Sequence, residues 1–392
     1  MKSVLATLLI ALLALGGERA LAQGNLSGYQ KAITYLDVDN ERHVWVFTET
    51  LDGRMVSKHF DGASWVWMNH GKPPGSTLVA NSQPVTYQDA NGNRRIYVFA
   101  VDNHGELVVR YYKSALSGWQ WAKQGGPSLF GATLSAITFV DDDGVRHISA
   151  FAIRRLDGGP LPYRAMTNHW NGSSWEWTAL FDVATSHAAP SFTTVTTYID
   201  FQGHRRVSLY IADSGDDLVA YTWLQGNWSW GDPNLPAAAP AVAFNFVDDE
   251  GYRRGFAVVR DPDSNDIFQH RGVNDTTVLN HPVAVGGSAL QGLSLINYTE
   301  SGNVRLDLFA NYHGSNVLFR RSEVNDTWFG WYQIALPPGS PQAVYNPNAM
   351  TYLESRGGLQ HKYVFMLGPG YHLWAYFWNG MSWQWIDLGT PP

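Results

Sequence analysis

The chain has 392 residues, with 27 Lys and Arg against 34 Asp and Glu, and a formal net charge of −7 at pH 7. This excess of acid excludes nucleic acid and anionic membrane surfaces as expected partners, because both carry negative charge themselves. Cysteine is absent, so disulfides are excluded and a large buried core must hold the fold together.

Residues 1–22 are expected to be a secretory signal peptide. Lys2 gives a basic start, Val4 to Leu15 form a twelve-residue apolar run, and Ala20-Leu21-Ala22 fits the small-x-small cleavage rule. The alternative is an N-terminal membrane anchor, but the run is too short to span a bilayer, and no later segment is apolar enough to insert. The mature chain, 23–392, would be one secreted domain, extracellular or periplasmic, because no linker divides it.

From residue 32 onward the sequence repeats one unit seven times. Each unit contains a lead aromatic, an acid two residues later, a polar turn, a basic residue, an apolar strand, a second turn and an aromatic strand. The lead aromatics are Tyr35, Tyr87, Phe139, Tyr198, Phe246, Tyr298 and Tyr352. In the second unit, Asn91-Gly92 is a typical hairpin dipeptide between two β-rich runs. Four short strands per unit predict an all-β fold, a seven-bladed β-propeller of four-stranded antiparallel blades.

An acid and a base recur in all seven units, usually six residues apart across the first hairpin. The acids are Asp37, Asp89, Asp141, Asp200, Asp248, Glu300 and Glu354, and the bases are His43, Arg95, His147, Arg206, Arg254, Arg305 and His361. A facing pair of opposite charge stabilises neighbouring strands. The recurrence favours a structural device that fixes hairpin register or contact between blades; the alternative is a ring of ligands for substrate or metal.

The outer strand of most units carries a Trp-x-Trp pair. The pairs are Trp65/Trp67, Trp119/Trp121, Trp175/Trp177, Trp228/Trp230 and Trp383/Trp385. The sixth unit stretches the pair to Trp328 and Trp331, and the fifth unit has none. Residues two apart on a strand share a face. The two indoles therefore either pack against the neighbouring blade or lie partly exposed at its edge, where they could stack on a ligand.

Sugars present apolar C–H faces and hydroxyl groups, so aromatic rings beside polar side chains are typical of carbohydrate sites. The candidate carbohydrate-binding residues are Trp67, His59, Trp121, Tyr111, Trp177, His169, Trp230, Tyr221, Trp385 and Tyr376. The alternative is that each set is only a structural repeat.

Two departures from the repeat offer an enzymatic alternative. His104 and Tyr312-His313 fall in the turn between the second and third strands of their units, and Arg154 precedes a longer loop. A His, a Tyr and an Arg could supply a base, an acid and a charge neutraliser in a polysaccharide lyase or glycoside hydrolase. The alternative is an exposed loop His. A Gly-x-Ser-x-Gly elbow, a phosphate loop and the sialidase box are missing from the sequence.

Two acidic turns resemble calcium ligands. They are Asp37-Val38-Asp39-Asn40 and Asp141-Asp142-Asp143-Gly144. Both lack the spaced glutamate of a calcium loop, and Asp and Gly are common in hairpin turns for conformational reasons. Calcium is therefore an alternative for these turns, and no other cofactor or metal is expected.

Three short patterns carry a resemblance to a known family. They are Ile96 to Phe99, His104 to Leu107 and Trp119 to Gly125 in the second unit, and Val364-Phe365, Tyr371 to Trp374 and Trp383 to Gly389 in the last. These repeats resemble the bacterial seven-bladed β-propeller lectins and, more distantly, the six-bladed fungal fucose lectins. The resemblance implies sugar pockets between adjacent blades, lined by aromatic side chains. Those lectins usually carry Leu-Trp-His in the third strand, which only Leu373-Trp374-Ala375 approaches here.

The expected function is thus a secreted, lectin-like β-propeller that binds glycans or polysaccharide without transforming them. A homo-oligomer is compatible with this expectation. The alternative is a secreted lyase or glycosidase on the same scaffold, which would have one deep pocket with a His or paired carboxylates in place of several like pockets.

Overall fold

The structure is a computed structural model. It describes residues 26–114, 118–156, 163–183, 192–212, 218–231, 238–247, 253–260, 267–271, 275–281, 290–312, 318–325, 327–334, 346–354, 358–368 and 371–392. The signal-peptide prediction for residues 1–22 lies outside these ranges. Within the described ranges, no helix has the length and apolarity needed to cross a lipid bilayer.

The described residues form seven four-stranded antiparallel sheets, and in each sheet the strands lie in sequence order. Sheet 1 contains β1 (Leu26–Leu36), β2 (Arg42–Thr50), β3 (Met55–Phe60) and β4 (Trp65–Gly71). Sheet 2 contains β5 (Leu78–Gln88), β6 (Arg94–Asp102), β7 (Leu107–Ser114) and β8 (Gly118–Lys123). Sheet 3 contains β9 (Leu129–Val140), β10 (Arg146–Arg155), β11 (Tyr163–Trp170) and β12 (Trp175–Val183).

The other four sheets follow the same order. Sheet 4 contains β13 (Phe192–Ile199), β14 (Arg205–Ala212), β15 (Leu218–Leu224) and β16 (Asn227–Gly231). Sheet 5 contains β17 (Ala238–Val247), β18 (Arg253–Arg260), β19 (Ile267–Arg271) and β20 (Asp275–His281). Sheet 6 contains β21 (Leu290–Glu300), β22 (Asn303–Tyr312), β23 (Leu318–Val324) and β24 (Thr327–Ile334). Sheet 7 contains β25 (Asn348–Leu353), β26 (Gln360–Leu367), β27 (Leu373–Trp378) and β28 (Trp383–Asp387).

The first strands of successive sheets lie side by side, and β25 of the last sheet lies against β1 of the first. Side chains link these inner strands. The Ala349 amide donates to Ser294 Oγ at 2.7 Å, and the Ala32 amide donates to Asn348 Oδ1 at 2.8 Å. The second of these bonds joins sheet 7 to sheet 1. The fold is therefore an all-β propeller with four-stranded antiparallel blades, as the repeat predicted.

The hydrophobic core lies between sheets. Val44 and Val46 of sheet 1, for example, share a buried cluster with Tyr363 and Phe365 of sheet 7. The second strand of each sheet is the most completely buried, because its two faces contact different neighbouring sheets. Burial of apolar area at these interfaces is the main favourable contribution to folding in a chain without disulfides.

Two glycines set the distance between sheets 1, 2 and 3. Gly53 and Gly105 lie at positive φ in the turns after β2 and β6. A Cβ at Gly53 would lie 2.6 Å from Thr77 Cβ, and one at Gly105 would lie 2.7 Å from Ser128 Oγ. Both carbonyls accept a hydrogen bond from the first strand of the next sheet. These turns therefore require glycine both for conformation and for close approach.

Three of the lead aromatics lie beneath an arginine of the following sheet. The guanidinium groups of Arg42, Arg94 and Arg146 lie over the rings of Tyr352, Tyr35 and Tyr87, at 4.6, 4.7 and 5.3 Å from the ring centres. Arg94 also donates to the carbonyl of Leu36 at 2.9 Å. Each arginine directly precedes one of the recurring bases, so its position could be located from the repeat.

The recurring acid and base form an ion pair across the first hairpin in six of the seven sheets. In sheet 2, Asp89 Oδ1 accepts the amides of Asn91 and Asn93, and Asp89 Oδ2 lies 2.7 Å from Arg95. Equivalent pairs join Asp37 to His43, Asp141 to His147, Asp200 to Arg206, Glu300 to Arg305 and Glu354 to His361. The pair of the fifth unit includes Asp248, which lies outside the described residues. The recurring acid–base pair is thus a structural device that fixes the first hairpin.

Asp89→Ala should lower the melting temperature by a few degrees. The substitution removes the acceptor for two turn amides and leaves Arg95 without its carboxylate partner. Asp89→Asn is the matched control, because an amide oxygen can still accept both amides while the charge is lost. In calorimetric unfolding, the melting temperature should be highest for wild type, lower for Asp89→Asn and lowest for Asp89→Ala. Equal melting temperatures for wild type and Asp89→Ala would contradict a capping role.

Candidate functional site

A pocket of about 310 Å³ lies between sheets 3 and 4. Its volume falls at the lower end of the range found for small-molecule sites. Sheet 3 contributes Phe139, His147, Ser149, Phe151, Thr167, His169, Thr178 and Leu180, and sheet 4 contributes Val207, Trp223, Gly226 and Trp228. Aromatic rings and short polar side chains therefore face each other across one interface.

The pocket exists because Ser149 is small. Ser149 lies opposite His169 on the neighbouring strand, and Trp45 of sheet 1 lies opposite His59 in the same register. Trp45 stacks on His59 with ring centres 3.7 Å apart and fills the equivalent space. Tyr97 and Tyr363 occupy this position in sheets 2 and 7. A serine hydroxymethyl group in place of an aromatic ring leaves room for a ligand.

Buried hydrogen-bonding groups line the sheet 3 side of the pocket. Thr167 is buried, and its Oγ1 has no hydrogen-bond partner among the residues that the structure describes. Ser149 is buried beside it. A buried hydroxyl without a partner is costly, and a bound sugar hydroxyl or water can satisfy it.

Two histidines extend this polar surface. His147 Nε2 lies 2.7 Å from Asp141 Oδ2, which orients the imidazole ring. The His169 ring stacks 6.0 Å from that of His147. Burial, followed by the charge of His147, lowers the pKa of His169. His169 is therefore expected to be neutral at pH 7, with one ring nitrogen able to donate and the other able to accept.

Two indoles form the aromatic wall. The Trp223 ring is tilted by 56° against Phe139 with centres 5.3 Å apart, and the Trp228 ring meets Phe151 edge-on at 5.8 Å. Each ring is held by a phenylalanine of the other sheet, so its orientation is fixed before any ligand binds. Preorganised rings of this kind bind apolar ligand faces with little loss of side-chain entropy.

Hydrogen bonds also join the first turn of sheet 3 to sheet 4. Asp142 in the first turn of sheet 3 lies 2.9 Å from His204 Nδ1 and accepts the Arg205 amide at 2.7 Å, so it ties this turn to sheet 4. The predicted calcium turn 141–144 thus uses its first two carboxylates in protein contacts. No group of three His, Asp or Glu side chains in the described part of the chain is placed to hold a metal ion.

The second Trp of three predicted pairs bonds to the preceding sheet. Trp67, Trp121 and Trp177 donate their indole N–H groups to the carbonyls of Leu388, His70 and Gln124, at 3.0, 3.1 and 3.1 Å. Lys58 and Arg110 lie over two of these rings. These contacts favour packing between sheets, the alternative considered for the pairs.

Most other predicted sugar residues lie in similar contacts. His59 is stacked on Trp45, Tyr111 donates to Gln120, Tyr221 stacks on Phe181, and Tyr376 lies between Trp383 and Trp385. The Trp230 side chain lies outside the described part of the structure. His169 lines the pocket, as the carbohydrate hypothesis requires. A binding role for His169 and for the other residues stays a prediction.

The described members of the predicted catalytic set, His104, Arg154 and Tyr312, lie in three different sheets. His104 is exposed in the turn after β6 of sheet 2, and Arg154 lies on β10 of sheet 3. Tyr312 ends β22 of sheet 6, and its side chain, like the whole of His313, lies outside the described part of the chain. A catalytic role for these residues stays a prediction.

Sequence reasoning missed Ser149, Thr167 and Trp223. The available signal was the position two residues after each base, which reads Trp45, Tyr97, Ser149, Ser208, Phe256, Asp307 and Tyr363 in the seven units. Serine replaces an aromatic residue at positions 149 and 208, which marks two interfaces where a pocket could form. The pocket described above lies at the first of them.

His70 makes folding depend on pH. It is buried between sheets 1 and 2, where Ser57 Oγ lies 2.8 Å from Nε2. Burial, followed by the charge of Arg110, lowers the pKa of His70 to about 3. Since this pKa is below that of an unfolded His, about 6.5, only the unfolded chain gains a proton between these values. The contribution of His70 to the free energy of unfolding is therefore fully present above pH 6.5 and is lost as the pH falls toward 3.

We expect the free energy of unfolding to fall by roughly 2 kcal/mol from pH 7 to pH 5 through His70 alone. The matched variant is His70→Leu, because Leu180 occupies the equivalent position in sheet 3. Urea unfolding at the two pH values should show a smaller pH dependence in the variant. An identical loss in both proteins would exclude His70 as the source.

No protein-family model matches the sequence, and no curated protein matches it either. Solved structures do. The chain is similar to the six-bladed β-propeller lectin of Aleuria aurantia, with a TM-score of 0.54 and 15% identity over 94% of this chain and 97% of the lectin. It is also similar to a triple arginine-to-alanine mutant of AofleA from Arthrobotrys oligospora, with a TM-score of 0.52 and 10% identity over 94% and 91% of the two chains. At these identities the likeness shows the fold, a β-propeller of four-stranded blades.

Proposed function

We propose that this protein is a carbohydrate-binding propeller, and that the pocket between sheets 3 and 4 binds a neutral sugar. The carrying observation is the pairing of two fixed indoles, Trp223 and Trp228, with the unpartnered Thr167 hydroxyl across a pocket of about 310 Å³. The rings suit the C–H face of a sugar, and Thr167, Ser149 and His169 suit its hydroxyls.

The described residues that line the pocket include no Lys, Arg, Asp or Glu, which favours a neutral ligand. His169 is neutral at pH 7, and the negative charge of Asp141 is directed at His147. An acidic sugar would have to be desolvated here without a Lys or Arg among the described lining residues to offset the cost. The Aleuria aurantia lectin is described as recognising fucose, a neutral sugar, so methyl α-fucoside is a suitable first probe.

Isothermal titration with a panel of neutral monosaccharides and oligosaccharides tests the proposal. We expect at least one neutral sugar to bind, and the same mixtures to show no new reducing ends and no unsaturated-uronate absorbance. Turnover of any polysaccharide would replace the lectin proposal by the lyase or glycosidase alternative. Failure of every neutral sugar to bind would remove the pocket assignment.

We also propose that the seven described sheets are seven blades of one closed ring. Contacts between the inner strands of sheets 7 and 1, together with the bond from Ala32 to Asn348, support this number. Electron microscopy of the purified protein would count the blades directly. Six blades, as in the Aleuria aurantia lectin, would contradict it.

Secretion is part of the same proposal. The apolar run and cleavage pattern of residues 1–22 support it. N-terminal sequencing of protein recovered outside the producing cells should give Gln23 as the first residue. Protein retained in the cytoplasm with Met1 intact would oppose it.

A further inference from the structure

The interface between sheets 6 and 7 has the same strand register as the interface that holds the pocket, but its side chains differ. Asp307 stands where Ser149 stands in sheet 3, and Arg320 stands where Thr167 stands. Lys362 stands where Val207 stands in sheet 4. Three charged residues thus replace three small or apolar ones at equivalent positions.

Asp307 is fully buried, at 0% exposure. Its carboxylate accepts hydrogen bonds from Tyr298 Oη at 3.0 Å, from Arg320 Nε at 3.0 Å and from Ser322 Oγ at 2.5 Å. The guanidinium of Arg320 therefore offsets the charge of Asp307, and the two hydroxyls satisfy its other lone pairs. Asp307 has little capacity left to offset a second cation.

Lys362 is that second cation, and it is only 4% exposed. Its ammonium group donates to Tyr298 Oη at 2.7 Å and lies 3.9 Å from Glu300 Oε1. Glu300 in turn pairs with Arg305 at 3.0 Å. Arg305, Arg320 and Lys362 thus face two carboxylates, so this described cluster holds one more positive than negative charge.

The buried cation carries an energetic cost that a ligand could relieve. Burial lowers the pKa of Lys362, and the charges of Asp307 and Glu300 act against this shift. An anion close to the ammonium group would stabilise its charged form. The formal charge of the whole chain is −7, so this positive site is a local exception.

Two of these cations lie close to tryptophan rings. The Arg320 guanidinium lies 5.3 Å from the centre of the Trp383 ring, and Lys362 Nζ lies 5.6 Å from that of Trp378. Trp378 and Trp383 are the equivalents of Trp223 and Trp228 in the neutral pocket. The Arg320 side chain is 24% exposed. A guanidinium close to an indole ring, with part of its surface open, suits a carboxylate attached to a sugar ring.

We propose that the interface between sheets 6 and 7 is a second sugar site, selective for a uronic acid residue. The carboxylate would lie between Arg320 and Lys362, and the sugar ring would lie against Trp378 or Trp383. This inference rests on the proposed function for its ligand class, and it extends that function from neutral to acidic glycans.

A matched pair of ligands tests the second site. Methyl β-glucuronide and methyl β-glucoside differ only in the oxidation state of C6. Titration at low ionic strength should show the glucuronide binding to wild type more tightly than the glucoside, with an affinity that falls as salt is added. Absence of glucuronide binding would overturn the proposal.

Lys362→Val removes the cation and introduces the residue found at positions 44 and 207. We expect glucuronide binding to weaken by about tenfold or more. Folding should be preserved, because the Asp307–Arg320 pair remains and a poorly compensated buried charge is gone. Lys362→Met keeps the aliphatic stem and serves as a second variant. Unchanged glucuronide affinity in both variants would assign Lys362 a purely structural role.

Ser149→Trp separates the two proposals, because it fills only the pocket between sheets 3 and 4. Glucuronide binding that survives Ser149→Trp and is lost in Lys362→Val supports the second site, whether or not any neutral sugar binds. Glucuronide binding lost in Ser149→Trp would place that ligand in the first pocket and overturn the second site. Failure of neutral sugars alone would count only against the proposed function of the first pocket.

Discussion

Ser149→Trp should abolish neutral sugar binding, with a loss of affinity of at least about 100-fold, and leave the propeller folded. An indole at this position would occupy the space between His169 and Trp223, as Trp45 occupies the equivalent space in sheet 1. Overpacking a core typically costs about 1–3 kcal/mol. The cost here should lie at the low end, because the indole enters an existing pocket. Titration with a bound sugar and circular dichroism of the same sample measure both effects.

Val66→Trp is the matched control. Val66 is 49% exposed on the outer strand of sheet 1, so the control adds an indole of the same size outside the pocket. We expect it to bind sugar as wild type does. Undiminished binding in Ser149→Trp would show that the sugar lies elsewhere, and equal loss in both variants would show a nonspecific effect of the added ring.

Trp65→Ala should destabilise the protein by about 3 kcal/mol, at the low end of the range for a core Trp, because the ring is only partly buried. Trp65 meets Tyr363 and Phe365 of sheet 7 edge-on, at 6.4 and 5.9 Å between ring centres. It is therefore one of the contacts that close the ring between the last sheet and the first. Its loss leaves a cavity at the joint where no peptide bond connects the two sheets, since sheet 7 ends the described chain and sheet 1 begins it.

The neighbouring residue provides the control for ring closure. Val66→Ala changes the residue between the two indoles of the pair, on the opposite face of β4, and surface substitutions usually cost within about 0.5 kcal/mol. Urea unfolding of both variants measures the difference. If Trp65→Ala lowers the free energy of unfolding no more than Val66→Ala does, the indole does not stabilise the contact between sheets 7 and 1.

The repeat made the blade predictable, because strand propensity, hairpin turns and the acid–base pair are all encoded within about 50 residues. Asp89 and Arg95 could be paired from sequence since they lie on the two arms of one hairpin. The pocket could not be predicted in this way. Its walls come from two sheets, and Trp228 lines it only because Ser149 and Leu180 of the preceding sheet leave space.

The same reason explains why the Trp-x-Trp pattern alone did not locate a site. An indole such as Trp121 has the same sequence context as Trp177, and both bond to a backbone carbonyl of the preceding sheet. The residues that distinguish one interface from another lie on the second strand of the preceding sheet. Lys362 and Asp307 belong to different repeats, yet both bond to the hydroxyl of Tyr298 at such an interface.

A crystal structure of the protein soaked with a neutral sugar that binds in titration tests the central claim most directly. We predict density for the sugar between sheets 3 and 4, with one face against Trp223 or Trp228 and a hydroxyl within hydrogen-bond distance of Thr167 Oγ1. Sugar bound at another interface, with the pocket around Ser149 empty, would contradict the account.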